Sequence, residues 1–322
     1  MPPEPNVVEA DIRAAHAVIA PYVRRTPLIE AASPIAGAPP ISLKLEFLQH
    51  AGSFKPRGAF HNLLTRAAPP IGCATASGGN HGAAVAYAAG KLGVRARVFV
   101  PEIAAPPKIA KIKAYGAEVV VSGAAYADAQ ALCDEYVAQS GALAIHPYAS
   151  ATTIAGQGTV GLEWEEDLAR LGLPPIDTAL VAVGGGGLIA GVAAWFGGRV
   201  KVVGVEPEGS RALDAALEAG RPVDVPVKSV AADSLGARSV GALNLAIARR
   251  AVAQVALVAD AAISAAQKAL WREMQIAVEP GGAAAFAALA SGAYRPAAGE
   301  RVGVLICGAN VDLDALAALI AR

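Results

Sequence analysis

Residues 178–198 read TALVAVGGGGLIAGVAAWFGG and carry no charged side chain. A stretch of that length without a charge is long enough to span a bilayer. The four consecutive glycines at 184–187 argue against it, because in a helix each would cost roughly 1 kcal/mol relative to alanine. A strand, a glycine turn and a buried helix account for the stretch instead.

The same grammar recurs along the chain. CATAS (73–77), RARVFVP (95–101), AEVVVSG (117–123) and LAIHPY (143–148) read as strands, with helices at 83–93, 106–116 and 124–140. In the second half, strands at 200–209, 253–260 and 301–310 accompany helices at 188–196, 210–220, 261–275 and 281–292. Ahead of both, VVEADIRAAHAVIAPYV has helical periodicity, ISLKLEF (41–47) alternates like a strand, and Pro56 suits the first turn of a helix over 58–67. Such alternation implies right-handed βαβ units and parallel sheets. A chain of 322 residues is too long for one small core, and the pattern divides into two α/β lobes meeting near residue 150. Ligands in such sheets bind at the carboxyl ends of the strands, where the glycine turns fall.

Composition removes several function classes. The chain is 54% hydrophobic and 17% charged, which favours a large core over disorder. Its formal net charge is zero, with no basic stripe, so neither nucleic acid nor an anionic membrane surface is an expected partner. Cys73, Cys133 and Cys307 are far apart and odd in number, which fits a reducing cytoplasm better than a disulfide framework. The opening MPPEPNVVEADIRAAH lacks the apolar core of a secretory leader, so none is expected.

Four constellations carry chemistry. GGGGLIAG (184–191) follows a strand and opens a helix, so its backbone N–H groups form an anion site suited to phosphate. Gly185, Gly187 and Ala190 also satisfy G-x-G-x-x-G/A, and Glu206 ends the next strand where a ribose-binding acid would sit, so a dinucleotide reading stays open. SGGNHG (77–82) is a glycine-rich turn whose amides can hold a carboxylate. CGAN (307–310) places a thiol at a strand end, either as core packing or facing a heteroaromatic nitrogen. In GSFKPRGAF (52–60), Pro56 biases Lys55 away from helical ψ and Phe54 offers an apolar wall, a setting that desolvates an amine and suits it to Schiff-base chemistry. No G-x-S-x-G occurs, and His16, His50, His61 and His146 lack metal-ligand spacing.

Taken in order, SFKPRGA, SGGNHG, GGGGLIAG, GVEPEG (204–209), EPGGA (279–283) and CGAN resemble the fold-type-II pyridoxal-phosphate-dependent enzymes, in the branch of threonine/serine dehydratases and serine racemase. The resemblance runs from about residue 10 to about residue 320. It implies the tryptophan synthase β-subunit-like architecture of two open parallel-sheet α/β domains. A large cofactor domain would comprise 1–71 and 150–322, and a small mobile domain 72–149. By motif, Lys55 is similar to the Schiff-base lysine, and Phe54 would lie against the ring of pyridoxal 5'-phosphate. Asn80 would bond its phenolic oxygen. Gly184, Gly185, Gly186, Gly187 and Leu188 would cradle the phosphate, and Cys307 would face the ring nitrogen. Ser77, Gly78, Asn80 and His81 would hold the substrate carboxylate.

The activity so implied is dehydration and deamination of a hydroxy-amino acid, L-threonine or L-serine, to a 2-oxo acid and ammonia, by a cytoplasmic homodimer. Two departures qualify it. Gly78 stands where the racemases place a second serine, so elimination without efficient racemisation is expected. Of the carboxylates that hold a divalent cation in some members, Glu206 remains but Ser210 and Ala212 occupy the later places, so no metal is expected. The alternatives are a serine or aspartate racemase, or a 3-hydroxyaspartate or 3-phenylserine dehydratase, on the same fold. A nicotinamide-dependent oxidoreductase and a non-catalytic binding protein are the readings from other classes. Arg238, in the 233–241 loop, is read as a surface arginine.

Overall fold

Every strand between residues 73 and 144 joins one sheet, and every strand outside that interval joins another. The computed structural model describes residues 6–321, so the first five residues of the opening stretch, where no leader was expected, lie outside the described residues. The chain begins α1 (Glu9–Ile19), β1 (Leu28–Ala31), β2 (Ile41–Lys44) and α2 (Lys55–Thr65). It continues β3 (Cys73–Ala76), α3 (Asn80–Leu92), β4 (Ala96–Val100), α4 (Pro106–Ala114), β5 (Glu118–Val121), α5 (Tyr126–Ser140) and β6 (Leu143–Ala144). After α6 (Ala151–Arg170) come β7 (Thr178–Ala182), α7 (Gly187–Phe196), β8 (Lys201–Pro207), α8 (Ala212–Ala219), α9 (Ala232–Leu235) and α10 (Ala242–Ala251). The chain closes with β9 (Val252–Val258), α11 (Asp260–Met274), α12 (Pro280–Ala290), β10 (Val302–Leu305) and α13 (Leu313–Ile320).

The larger sheet has the order β1-β2-β10-β7-β8-β9 and the smaller β5-β4-β3-β6. All pairings are parallel except β1 with β2, an antiparallel strand at one edge. The central strand β7, TALVA, is buried at all five positions, as a parallel strand covered on both faces must be. It and α7 are the two halves of the uncharged 178–198 stretch. Among the described residues no helix is long and apolar enough to cross a membrane.

Several local expectations shift. ISLKLEF is a strand only to Lys44; Glu46–Leu48 is a 3-10 turn. All four strand residues are buried, Lys44 among them, because its ammonium pairs with Asp167 at 2.8 Å. LAIHPY pairs only at 143–144. The helix expected over 58–67 starts at Lys55, despite Pro56. The missing proline N–H falls in the first turn, where no intrahelical acceptor exists, and Arg57 N closes the turn on Phe54 O at 3.2 Å. Asn80 and His81 likewise belong to the first turn of α3 and not to a preceding loop.

The longest helix, α6, is not among the sequence expectations, nor are α9, α10 and α13. Ser150 caps α6 by accepting from Thr153 N. The helix passes close to α7 where Gly158 meets Gly191: a Cβ on Gly191 would stand 2.5 Å from Gly158 N. Small residues there set a tight crossing directly behind the glycine turn that opens α7.

Candidate active site

The residues singled out by motif converge between the two sheets. Lys55 opens α2, and its Nζ donates to the carbonyl of Pro147 at 2.9 Å, just beyond β6. Burial lowers its pKa from the ordinary lysine value to about 8, against the opposing pull of Cys307 and Glu279. The Phe54 ring centroid lies 5.0 Å from that nitrogen, and Phe54 N donates to Cys307 O at 3.2 Å. That bond and a bridge between Ser53 and Gly308 zip the lysine-bearing segment to the exit of β10.

The glycine turn lies at the end of β7. Gly186 has φ of 84°, the left-handed conformation that glycine adopts without strain, and caps α7. A Cβ on Gly185 would stand 2.3 Å from the Tyr148 ring. The turn is held from behind by Asn244, whose Nδ2 donates to Gly185 O at 2.6 Å and to Tyr148 O at 3.1 Å. Leu188 is buried in the first turn of α7. Bare backbone at a helix N-terminus presents N–H groups and the positive end of the helix dipole to an anion.

The turn of Ser77 to His81 lies at the end of β3. Ser77 Oγ accepts from Gly79 N at 3.2 Å. A Cβ on Gly78 would lie 2.8 Å from Ala104 Cβ, so the turn is crowded there. His81 is buried, and its imidazole contacts the Ile145 carbonyl at 3.0 Å. Burial, then the Lys55 charge, drives its pKa down to about 3, so the ring is neutral. What His81 offers the turn is therefore its backbone amide, one of the first-turn N–H groups without an intrahelical acceptor.

Asn80 Nδ2 donates to Glu279 Oε1 at 2.6 Å, and its Oδ1 accepts from Asn310 Nδ2 at 2.5 Å. Glu279 is buried at the start of α12. Burial raises its pKa, while the Asn80 bond and then Lys108, Lys111 and Lys55 oppose the rise. A Cβ on Gly308 would stand 2.1 Å from Glu279 Oε1, which explains the glycine after Cys307. The Cys307 thiol is 3.6 Å from Gly281 O, and burial pushes it up to about 12, so it stays a neutral thiol. EPGGA and CGAN were recognisable as motifs, but the work of Glu279 and Asn310, and that of Pro147, Tyr148, Asn244 and Lys111, had no local signal.

Glu206 does not serve a ribose. Its Oε1 accepts from Leu213 N at 2.8 Å and its Oε2 from Asp214 N at 2.9 Å, so both oxygens are spent on the first turn of α8. That removes the acid the dinucleotide reading required. Among the described residues, no group of three or more His, Cys, Asp or Glu side chains is arranged to hold a metal ion.

A parallel α/β protein with a buried amine of lowered pKa, a glycine turn at a helix N-terminus and a neutral buried thiol has the parts for an aldehyde cofactor bearing a phosphate. The pyridoxal-phosphate dependent enzyme family matches residues 19–308, and the chain belongs to that family. It is 37% identical to the phenylserine dehydratase of Ralstonia pickettii, over 90% of this chain and 89% of the relative. It is 36% identical to the L-threonine ammonia-lyase of Geobacter sulfurreducens, over 93% of this chain and 75% of the relative. Among solved structures, maize serine racemase superposes with a TM-score of 0.89 at 34% identity, covering 98% of both chains. The fold is thus the fold-type-II architecture, and the protein is a pyridoxal 5'-phosphate enzyme.

The residues present fit that cofactor. The turn is bare backbone where a Cβ on Gly185 or Gly187 would collide with Tyr148, and among the described residues the Lys55 amine has a carbonyl partner but no tight carboxylate.

Proposed function

We propose that the protein is an ammonia-lyase that eliminates the β-hydroxyl of a hydroxy-amino acid, L-threonine or L-serine, giving a 2-oxo acid and ammonia. The observation that carries this reading is the pairing of a Lys55 amine of pKa about 8 with a carboxylate turn that has glycine at position 78. Lys55 would hold the cofactor, and its Nζ would serve as the base for the substrate Cα proton. Bound pyridoxal phosphate supplies the electron sink for the resulting charge. Gly184, Gly185, Gly186, Gly187 and Leu188 would hold the phosphate, Phe54 would lie against the ring, and Asn80 would bond its phenolic oxygen. Cys307, a neutral thiol, would face the ring nitrogen and offer it no strong acid, which suits elimination. Ser77, Gly78, Asn80 and His81 hold the substrate carboxylate and so oppose decarboxylation.

The 37% identity to a phenylserine dehydratase supports a second substrate, 3-phenylserine, in the same reaction class. A panel of L-threonine, L-serine, 3-phenylserine and 3-hydroxyaspartate, assayed for 2-oxo acid and ammonia with bound cofactor, tests both. Absence of 2-oxo acid from every member would refute the lyase reading. The small domain is assigned to residues 72–149 and the large to 1–71 with 150–322, a division supported by the membership of the two sheets. We assign a homodimer and a cytoplasmic setting on the same resemblance; light scattering with a monomer mass would contradict the first.

A further inference from the structure

Asn310 occupies a junction that the roles above do not use. Its Oδ1 accepts from the Lys111 ammonium, on α4. Its Nδ2 donates to the Ala51 carbonyl at 2.8 Å and to Asn80 Oδ1 at 2.5 Å. The Ala51 carbonyl accepts a second bond, from Lys111 Nζ at 3.2 Å. Ala51 has φ of 59°, and among the described residues only Gln275 shares a positive φ without being glycine. Such a conformation persists where surrounding contacts over-determine it. Gly52, next in sequence, leaves the room: a Cβ there would stand 2.6 Å from Asn310 Oδ1. Ala309 N closes the junction on Gly52 O at 2.9 Å.

The direction of these bonds has one consistent solution. An ammonium only donates, so the atom Asn310 turns to Lys111 is its oxygen. The amide nitrogen then faces Ala51 and Asn80, and the atom Asn80 presents in return is its own oxygen. The Asn80 nitrogen is left on the other side, with one hydrogen on Glu279 and a second in hand. Glu279, which accepts, agrees with this order from the far end. We propose that Asn310 is a positioning residue. It relays the donor order of Lys111 to Asn80, so that Asn80 offers an N–H and not a carbonyl oxygen to the cofactor, and it pins the Ala51–Gly52 backbone that leads into Lys55. The inference rests on Asn80 contacting pyridoxal phosphate.

The full chain, stripped of cofactor and titrated with pyridoxal 5'-phosphate, provides the test. Affinity and the visible absorption band are recorded for wild type, Asn310→Asp, Asn310→Ala and Lys111→Met, beside the melting temperature of each cofactor-free protein. Asn310→Asp keeps the shape but sets an acceptor against the Asn80 oxygen. The expected result is binding weaker by about tenfold and a displaced band, without a matching fall in melting temperature. Asn310→Ala, which imposes no acceptor, loses less. Lys111→Met, which frees Asn310 to turn over, displaces the band in the same direction. Wild-type affinity and spectrum in both Asn310 variants overturns the relay, as does a loss of binding that simply follows a loss of melting temperature. Should Asn310→Asp not fold, Lys111→Met decides by the same criteria. A wild-type protein that develops no visible band overturns the cofactor site itself, which is a different outcome.

Discussion

The amine of Lys55, in the first turn of α2, donates to the carbonyl of Pro147 at the exit of β6, 92 residues away in sequence. That bond ties the lysine to the segment that follows the smaller sheet's last strand, where the next residue, Tyr148, packs on Gly185. A backbone carbonyl stabilises the ammonium less than a carboxylate would, so burial dominates and the pKa settles at about 8.

A depressed lysine pKa has a direct kinetic reading. Condensation with an aldehyde requires the neutral amine, so the rate at which cofactor-free protein takes up pyridoxal phosphate should rise with pH and level off above about 8. An amine with the ordinary value of 10.5 would still be gaining rate well beyond that pH. Stopped-flow absorbance across pH 6–10 distinguishes the two.

On the proposed roles, Lys55→Ala removes both the cofactor anchor and the base. Turnover of the best hydroxy-amino acid should fall by about 10²–10⁴-fold or more, while far-ultraviolet circular dichroism is unchanged. Added methylamine should restore a part of the activity, since it replaces the lost amine.

Gly78 predicts product distribution. Since glycine at this position offers no hydroxyl, L-serine should yield pyruvate in large excess over D-serine, measured by chiral chromatography. Gly78→Ser alone should lower elimination, because its Cβ would lie 2.8 Å from Ala104 Cβ. Pairing it with Ala104→Gly should recover that loss. Equal rates of D-serine and pyruvate formation in wild type would contradict the reading.

Two residues after Lys55, Arg57 is fully buried between Glu46, at 2.5 Å, and Glu163, at 2.7 Å. Arg57→Met takes from buried Glu46 its ion-pair partner and leaves Glu163 only the more distant Lys44, at 3.7 Å, and His16, so it should cost about 3–5 kcal/mol, read from chemical denaturation. Arg57→Lys should recover only part, because one ammonium cannot reproduce the forked contacts to both glutamates.

The parts of the site that were legible in sequence are those whose chemistry is local. Four glycines after an apolar strand, an asparagine after two glycines, and a lysine beside a proline are each written within a few residues. Helix α6 was not legible, because Gly156, Gly158 and Gly161 lower its propensity and packing against α1, α2 and α7 offsets that. Nor were the partners of Asn80, since Glu279 is 199 residues from it and Asn310 is 230. Local chain geometry even misled at Lys55: Pro56 disfavours helix for its predecessor in isolation, yet the turn closed by Arg57 N prevails.

The central claim is that Lys55 holds the cofactor. Borohydride treatment of the protein loaded with pyridoxal phosphate, followed by digestion and mass spectrometry, tests it most directly. The account predicts loss of the visible band and a single pyridoxyl-modified peptide, carrying the label on Lys55. A label on another lysine, or none at all, would contradict it.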